Sequence, residues 1–266
     1  MKRWIPFLNK PPTVAVLRLN GMIATGSRVG ALNDAGLAPL IERAFAKGKP
    51  KAVALIINSP GGSPAQSSLI AARIRRLAQE KNIKVYAFVE DLAASGGYWL
   101  ATAADEIWID QNSIVGSIGV ISASFGFHEL IDRYGVERRV YTAGKSKSML
   151  DPFRPEQPDD VARLKNLQEQ IHATFIDQVK AGRGDRLDAQ ADLFTGDIWV
   201  GQRAVDVGLA DGIGHAAPKM KALFGDKVKF RSYGPRRTLF QRLGASVMSE
   251  AGSMIEERSL YARFGL

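Results

Sequence analysis

Short apolar runs alternate along this chain with stretches whose apolar residues recur at helical spacing. Thr13-Val-Ala-Val-Leu-Arg-Leu19 predicts a strand closed by Asn20-Gly21. Leu37, Leu40, Ile41, Ala44 and Phe45 share one helical face, and Gly48-Lys-Pro50 stops that helix. Ala52-Val-Ala-Leu-Ile-Ile57 is continuously apolar, as in a parallel sheet covered on both faces. Asn58-Ser-Pro-Gly-Gly-Ser63 breaks it, and an amphipathic helix follows over 67–79. A strand over 84–90, an alanine-rich helix from Tyr98 to Ala104 and a strand over 106–110 continue the alternation. This order predicts an α/β fold of right-handed βαβ units with a mainly parallel sheet.

The second half is less regular. Val115 to Ser122 reads as a glycine-spaced turn with a short strand, 128–134 as a helix and Glu137-Arg-Arg-Val-Tyr141 as another strand. A long helix over 159–180 carries Leu164, Leu167, Ile171, Phe175 and Val179 on one face. A small helix over 204–208 precedes Leu209-Ala-Asp-Gly-Ile213. Beyond Arg236, Phe240, Leu243, Val247, Met254 and Ile255 recur at helical spacing.

The length, 266 residues, suits one large domain with an appendage, and 45% hydrophobic with 24% charged residues is ordinary for a globular protein. No run approaches the ~20 apolar residues of a membrane-spanning helix. The opening Met-Lys-Arg-Trp-Ile-Pro-Phe-Leu-Asn-Lys is too interrupted for a signal-peptide core, so a cytoplasmic location is expected. With no cysteine, disulfides, thiol catalysis and thiolate metal sites are excluded. The net charge of +9 is partly local: Lys219, Lys221, Lys227, Lys229, Arg231, Arg236, Arg237 and Arg242 face only Asp226. That basic stretch is ordinarily a solvated face, and it is also suited to peripheral contact with anionic lipid. No nucleic-acid partner is expected.

Candidate chemistry lies in two loops that follow strands, Ser59-Pro-Gly-Gly62 and Ala94-Ser-Gly-Gly97. In open α/β sheets ligands bind beyond the carboxyl ends of the strands, so both would open on one rim. Ser95 could simply cap a helix. Alternatively, its hydroxyl lies beside N–H groups that would hold an oxyanion. The glycine spacing matches neither dinucleotide nor P-loop patterns. None of His128, His172 and His215 sits in a recognisable motif for a base. The other option is a lysine made neutral by burial, and Thr142-Ala-Gly-Lys-Ser-Lys-Ser-Met-Leu-Asp-Pro-Phe153 offers Lys145 and Lys147, with Met149, Leu150 and Phe153 to dry the site. Spacing alone leaves those two lysines undecided.

Together, Asn58-Ser-Pro-Gly-Gly62, Ala94-Ser-Gly-Gly-Tyr98, Gly116-Ser-Ile-Gly-Val120, Ala143-Gly-Lys-Ser-Lys147 and Gly208-Leu-Ala-Asp211 resemble, in that order, the motifs of the S49 serine peptidases. This is the group of signal peptide peptidase A and SohB, with a ClpP/crotonase-like fold. The resemblance covers roughly residues 13–215, leaving 1–12 as an N-terminal segment and 216–266 as a basic, partly helical C-terminal extension. It implies Ser95 as nucleophile, Lys147 as general base and Ser117 as the hydroxyl that orients the lysine. It further implies Gly96 and Gly62 as oxyanion-hole donors, with Gly61 the alternative neighbour. It also implies peptide substrates, signal-peptide-like or otherwise apolar, no cofactor or metal, and a homo-oligomeric ring or dome with active sites near subunit contacts. The membrane anchor common in the family is not seen. Two other readings compete: a catalytically silent ring-forming scaffold that binds hydrophobic peptides or membrane proteins, and a crotonase-type acyl-CoA enzyme, which would leave Ser95 and Lys147 without a role.

Overall fold

The structure, a computed structural model, describes residues 11–26, 31–144, 146–234 and 258–266. Its centre is a sheet built from β1 (Thr13–Asn20), β2 (Ala52–Ser59) and β3 (Lys84–Ala94), all parallel, in the order β3-β2-β1. Two helices supply the crossovers, α1 (Asp34–Ala46) and α2 (Pro64–Lys81). Local chemistry sets their ends. Asn33 Oδ1 accepts from Gly36 N–H at 2.8 Å, and Ser63 and Pro64 open α2, which Asn82 closes in the left-handed region at φ 50°.

Strand β3, eleven residues long, serves two neighbours along one edge. Its first half pairs with β4 (Glu106–Ile109) and its last residues pair with β5 (Ile114–Gly116), both parallel. Between β3 and β4 lies the short helix α3 (Gly96–Ala101), whose six residues are all buried. The side chains of β1, β2 and β3 alternate between two cores, as the period of a strand requires. Leu17, Leu19, Val53, Leu55 and Ile57 pack under α1 and α2. Val14, Val16, Ala54, Ile56 and Phe88 face the other way, toward Met220 and Val228.

The second half departs from the sequence expectation in three places. No strand forms over 137–141: a strand needs a neighbouring edge to bond to, and here Val140 and Tyr141 are 39% and 91% exposed. The segment after α4 (His128–Arg133) instead runs in the open to α5 (Pro158–Arg183). The five-residue stripe of α5 is only half used. Phe175 and Val179 are buried, with the Phe175 ring stacked on Trp99 at 4.8 Å, whereas Leu167 and Ile171 stay exposed.

The third departure concerns the basic segment after residue 215. Following β6 (Ile198–Val200), which pairs antiparallel with β5, come α6 (Gln202–Asp206) and β7 (Gly212–Ile213), which pairs with β4. Two elements absent from the sequence reading then follow, α7 (Ala216–Phe224) and β8 (Lys229–Tyr233). β8 lies parallel to β1, Thr13 opposite Lys229, so this part of the expected extension belongs to the sheet. The helical pattern from Phe240 to Ile255 lies outside the described residues, as do Arg236, Arg237 and Arg242. Among the described residues, no helix is long and apolar enough to cross a membrane.

Candidate active site

β5, β3 and β2 run side by side in the same direction, so their carboxyl ends form one rim. From that rim leave Ser117, Ser95 and the Pro60-Gly61-Gly62 loop. Both serines hold backbone conformations that side chains rarely adopt, φ 51° at Ser95 and φ 52° at Ser117. Such conformations cost about 1–3 kcal/mol each and persist only where surrounding bonds fix them. Those bonds are present. Ser95 N–H donates to Gly116 O at 2.8 Å, and Ser117 N–H donates to Asp197 O at 2.7 Å.

Ser95 occupies the N-cap position of α3, yet its hydroxyl makes no cap hydrogen bond. The simple capping role therefore does not describe it, and the Oγ is left to other partners. Its neighbour Gly96 opens the helix, where N–H groups have no intrahelical acceptor. A side chain there would crowd its surroundings: its first carbon would lie 2.4 Å from Ser67 Oγ, forcing that hydroxyl to move, and 3.3 Å from Gly62 N. The Gly62 amide thus lies against the Gly96 backbone.

The two glycines of the β2 loop are held differently, and Gly61 is the one against the serine: a carbon added there would lie 2.9 Å from Ser95 Cβ and 2.7 Å from Gly96 N. Gly61 N–H donates to the buried Ser59 Oγ at 3.2 Å, and Gly61 O accepts from Ile23 N–H at 2.8 Å. Among the described residues, Gly62 N–H is assigned no acceptor. Gly62 itself is pressed against the 21–32 loop, where an added carbon would lie 2.0 Å from Ile23 O, and its φ of 138° also demands glycine. Gly97 is confined likewise, with Ser59 O 2.4 Å from the position of a side chain.

A second layer holds α3 in place. Tyr98, fully buried, donates its hydroxyl to Leu209 O at 2.8 Å, and burial pushes its phenol well above the ordinary range. Next to it Asp211 accepts from Arg183 at 2.7 and 3.1 Å, from Arg186 at 3.2 Å and from Ile107 N–H at 2.6 Å. Burial alone would raise the Asp211 carboxyl, but the bonds from Arg183 and Ile107 outweigh it and hold it below its usual value. Gly208-Leu-Ala-Asp211 is therefore a clamp on the helix that follows the serine, a role its sequence did not reveal.

The structure brings together Ser95, Gly96, Gly62 and the Ser117 turn. It does not bring Lys147 to them within one chain. Lys147 sits exposed on the turn after Gly144, and among the described residues its amine makes no hydrogen bond or ion pair. Lys145 lies outside the described residues. Phe153, expected to dry the site, instead packs on Phe127 at 5.6 Å and beneath Arg138. Of the histidines, His128 lies near Glu129 and His215 bonds Asp110 at 2.8 Å. The third, His172, reaches the back of the site: its Nε2 is 3.0 Å from Ile118 O. Only the fold could reveal that contact, because 54 residues separate the pair.

Known proteins resemble this chain in sequence and shape. A sequence model of peptidase family S49 matches residues 77–224. A chloroplastic serine protease SPPA of Arabidopsis thaliana is 32% identical over 210 residues, covering 76% of this chain and 30% of its own length. A protein of Brucella melitensis named Na(+)/H(+) antiporter NhaA is 48% identical over 286 residues, which cover 100% of this chain but 39% of that protein. The chain thus spans about two-fifths of the length of that relative, and the antiporter name describes the longer protein. In shape it matches the 1510-N membrane-bound stomatin-specific protease, solved as a lysine-to-alanine variant with a substrate peptide. The TM-score is 0.52 at 15% identity, over 90% of this chain and 99% of the other.

Proposed function

Since the chain belongs to peptidase family S49, we propose that it is a serine endopeptidase working through a Ser95–Lys147 dyad on apolar, signal-peptide-like segments. The observation that carries this reading is the strained, uncapped Ser95 at the start of α3, packed against the Gly61-Gly62 loop. Ser95 Oγ attacks the substrate carbonyl carbon as its proton passes to neutral Lys147. The carbonyl oxygen, now negative, accepts from the two glycine N–H groups. Removing one such donor typically costs about 10²–10³ in rate. The tetrahedral species collapses, Lys147 returns the proton to the leaving amine, and an acyl-Ser95 remains. Water then gives a proton to Lys147 and attacks the ester, and as the carboxylic product leaves Lys147 passes that proton to Ser95 Oγ, restoring the free serine and the neutral lysine.

A lysine acts as a base only when desolvated, and Lys147 is exposed in the single chain. A second copy would supply that cover and could bring its own Lys147 to this Ser95. The exposed apolar residues of the same region, among them Phe125, Leu130, Val136, Leu167 and Ile171, suit a subunit contact, in line with a ring or dome. The exposed lysine also favours a second reading, a scaffold that binds peptides without cutting them.

Fluorophosphonate labelling separates the two: the peptidase labels at Ser95 and the scaffold does not. Ser95→Ala and Lys147→Ala should each abolish peptide hydrolysis while the protein stays folded. If the dyad forms across copies, subunits of the two dead variants mixed together should regain part of the activity. Full activity in a folded Lys147→Ala protein overturns the dyad.

A further inference from the structure

We infer that His172 is a positioning residue of the active site, holding the Ser117 turn in its strained conformation from α5. The inference rests on the reading of Ser95 as nucleophile. Ile118 follows Ser117 directly and is completely buried, so its carbonyl needs a partner inside the protein. His172 Nε2 lies 3.0 Å from that oxygen. Because a carbonyl oxygen only accepts, Nε2 must carry the hydrogen.

The consequence follows the chain backwards. Ser117 is held at φ 52°, a conformation that relaxes unless it is fixed on both sides. On one side its own N–H is bonded to Asp197 O, and on the other the Ile118 carbonyl is bonded to His172. One residue earlier, Gly116 O receives the N–H of Ser95 at 2.8 Å. A single short run, Gly116-Ser117-Ile118, therefore sets both the nucleophile and the hydroxyl proposed to orient the base. His172 is the side chain that ties this run to α5.

Its place on the helix gives the contact a direction of control. His172 sits where the stripe of α5 changes character, three residues before buried Phe175 and one after Ile171, which is 36% exposed. A copy docking on Leu167 and Ile171 would press on the turn of helix that carries the imidazole. Phe175, stacked on Trp99, keeps that turn from sliding along α3. His172 thereby couples the face available to a partner with the loop that positions Ser95.

The test uses the whole protein with His172→Gln, His172→Asn and His172→Leu. The glutamine amide reaches about as far as Nε2 and can donate to Ile118 O; asparagine is too short, and leucine has no donor. Leucine and asparagine should lower kcat and the fluorophosphonate labelling rate roughly tenfold, since a misplacement of ~1 Å can cost about 100-fold. KM should stay within about twofold and the oligomer unchanged, while glutamine keeps most of the rate. Wild-type kcat in a folded leucine or asparagine variant overturns the proposal. So does an equal loss in glutamine and asparagine, a comparison that survives if leucine fails to fold. Labelling of Ser95 is the control: its absence from the wild-type protein defeats the nucleophile itself, whereas a labelled wild type with unaffected His172 variants defeats only this inference.

Discussion

Replacing Asp211 by alanine should be among the most damaging single changes outside the reacting groups. Arg183 is 1% exposed, and apart from its 2.8 Å bond to Gly208 O its guanidinium is satisfied by the Asp211 carboxylate, at 2.7 and 3.1 Å. Removing that carboxylate leaves a buried cation without its counter-charge, which costs about 3–5 kcal/mol. For a chain of this size each kcal/mol lowers Tm by about 2–4 °C, so a fall of roughly 6–20 °C is expected in a thermal melt. Swapping both partners for apolar residues, Arg183→Met with Asp211→Leu, should recover much of the loss, because no buried charge is then left unpaired and Arg186, the other partner of Asp211, is exposed to solvent. The pH dependence has a definite sign. The Asp211 carboxyl is held below its ordinary value, so its contribution is complete above about pH 4, the unfolded-state value, and fades as pH falls through the folded one. The stability gap between wild type and Asp211→Asn should therefore narrow in acid. Because Tyr98 hangs on the adjacent Leu209 carbonyl, peptide hydrolysis should fall along with Tm. An Asp211→Ala protein within about 1 kcal/mol of wild type, or a double variant no better than the single, refutes the clamp.

Other substitutions test neighbouring contacts. Tyr98→Phe leaves the Leu209 carbonyl unpaired in the interior and should cost about 1–3 kcal/mol in urea denaturation, with Ser95 still able to label. Gly62→Ala, which would place a carbon 2.0 Å from Ile23 O, should displace the Pro60-Gly61-Gly62 loop and, if that loop holds the oxyanion as proposed, cut kcat by at least about 100-fold; unaltered kcat would remove Gly62 from the site. Leu167→Glu with Ile171→Glu, both on exposed positions, should change the stability of the single chain by about 0.5 kcal/mol or less per site while reducing the sedimenting mass and the activity together. An unchanged mass would show that this face of α5 is not a subunit contact.

What the chain's own pattern determined is the part built from neighbours in sequence. The apolar run at 52–57, the helical spacing of Leu37 to Phe45 and the glycine-rich breaks between them are local signals, and β2, α1 and the two loops formed where they pointed. The turn at Ser95 was legible for the same reason, since a serine and two glycines between strand and helix make a recognisable break. The stretch over 137–141 has the composition of a strand but no edge to join, and β8 joined β1 although 216 residues separate Thr13 from Lys229 in sequence. Strand pairing depends on which edge is free, a property of the whole sheet. Only the fold engaged the Gly61 amide with Ser59, and only the fold carried His172 and Arg183 to their partners 54 and 28 residues away. Periodicity fixes which face of an element turns inward. Which distant group it then meets is set by packing, and packing decided the surroundings of the serine.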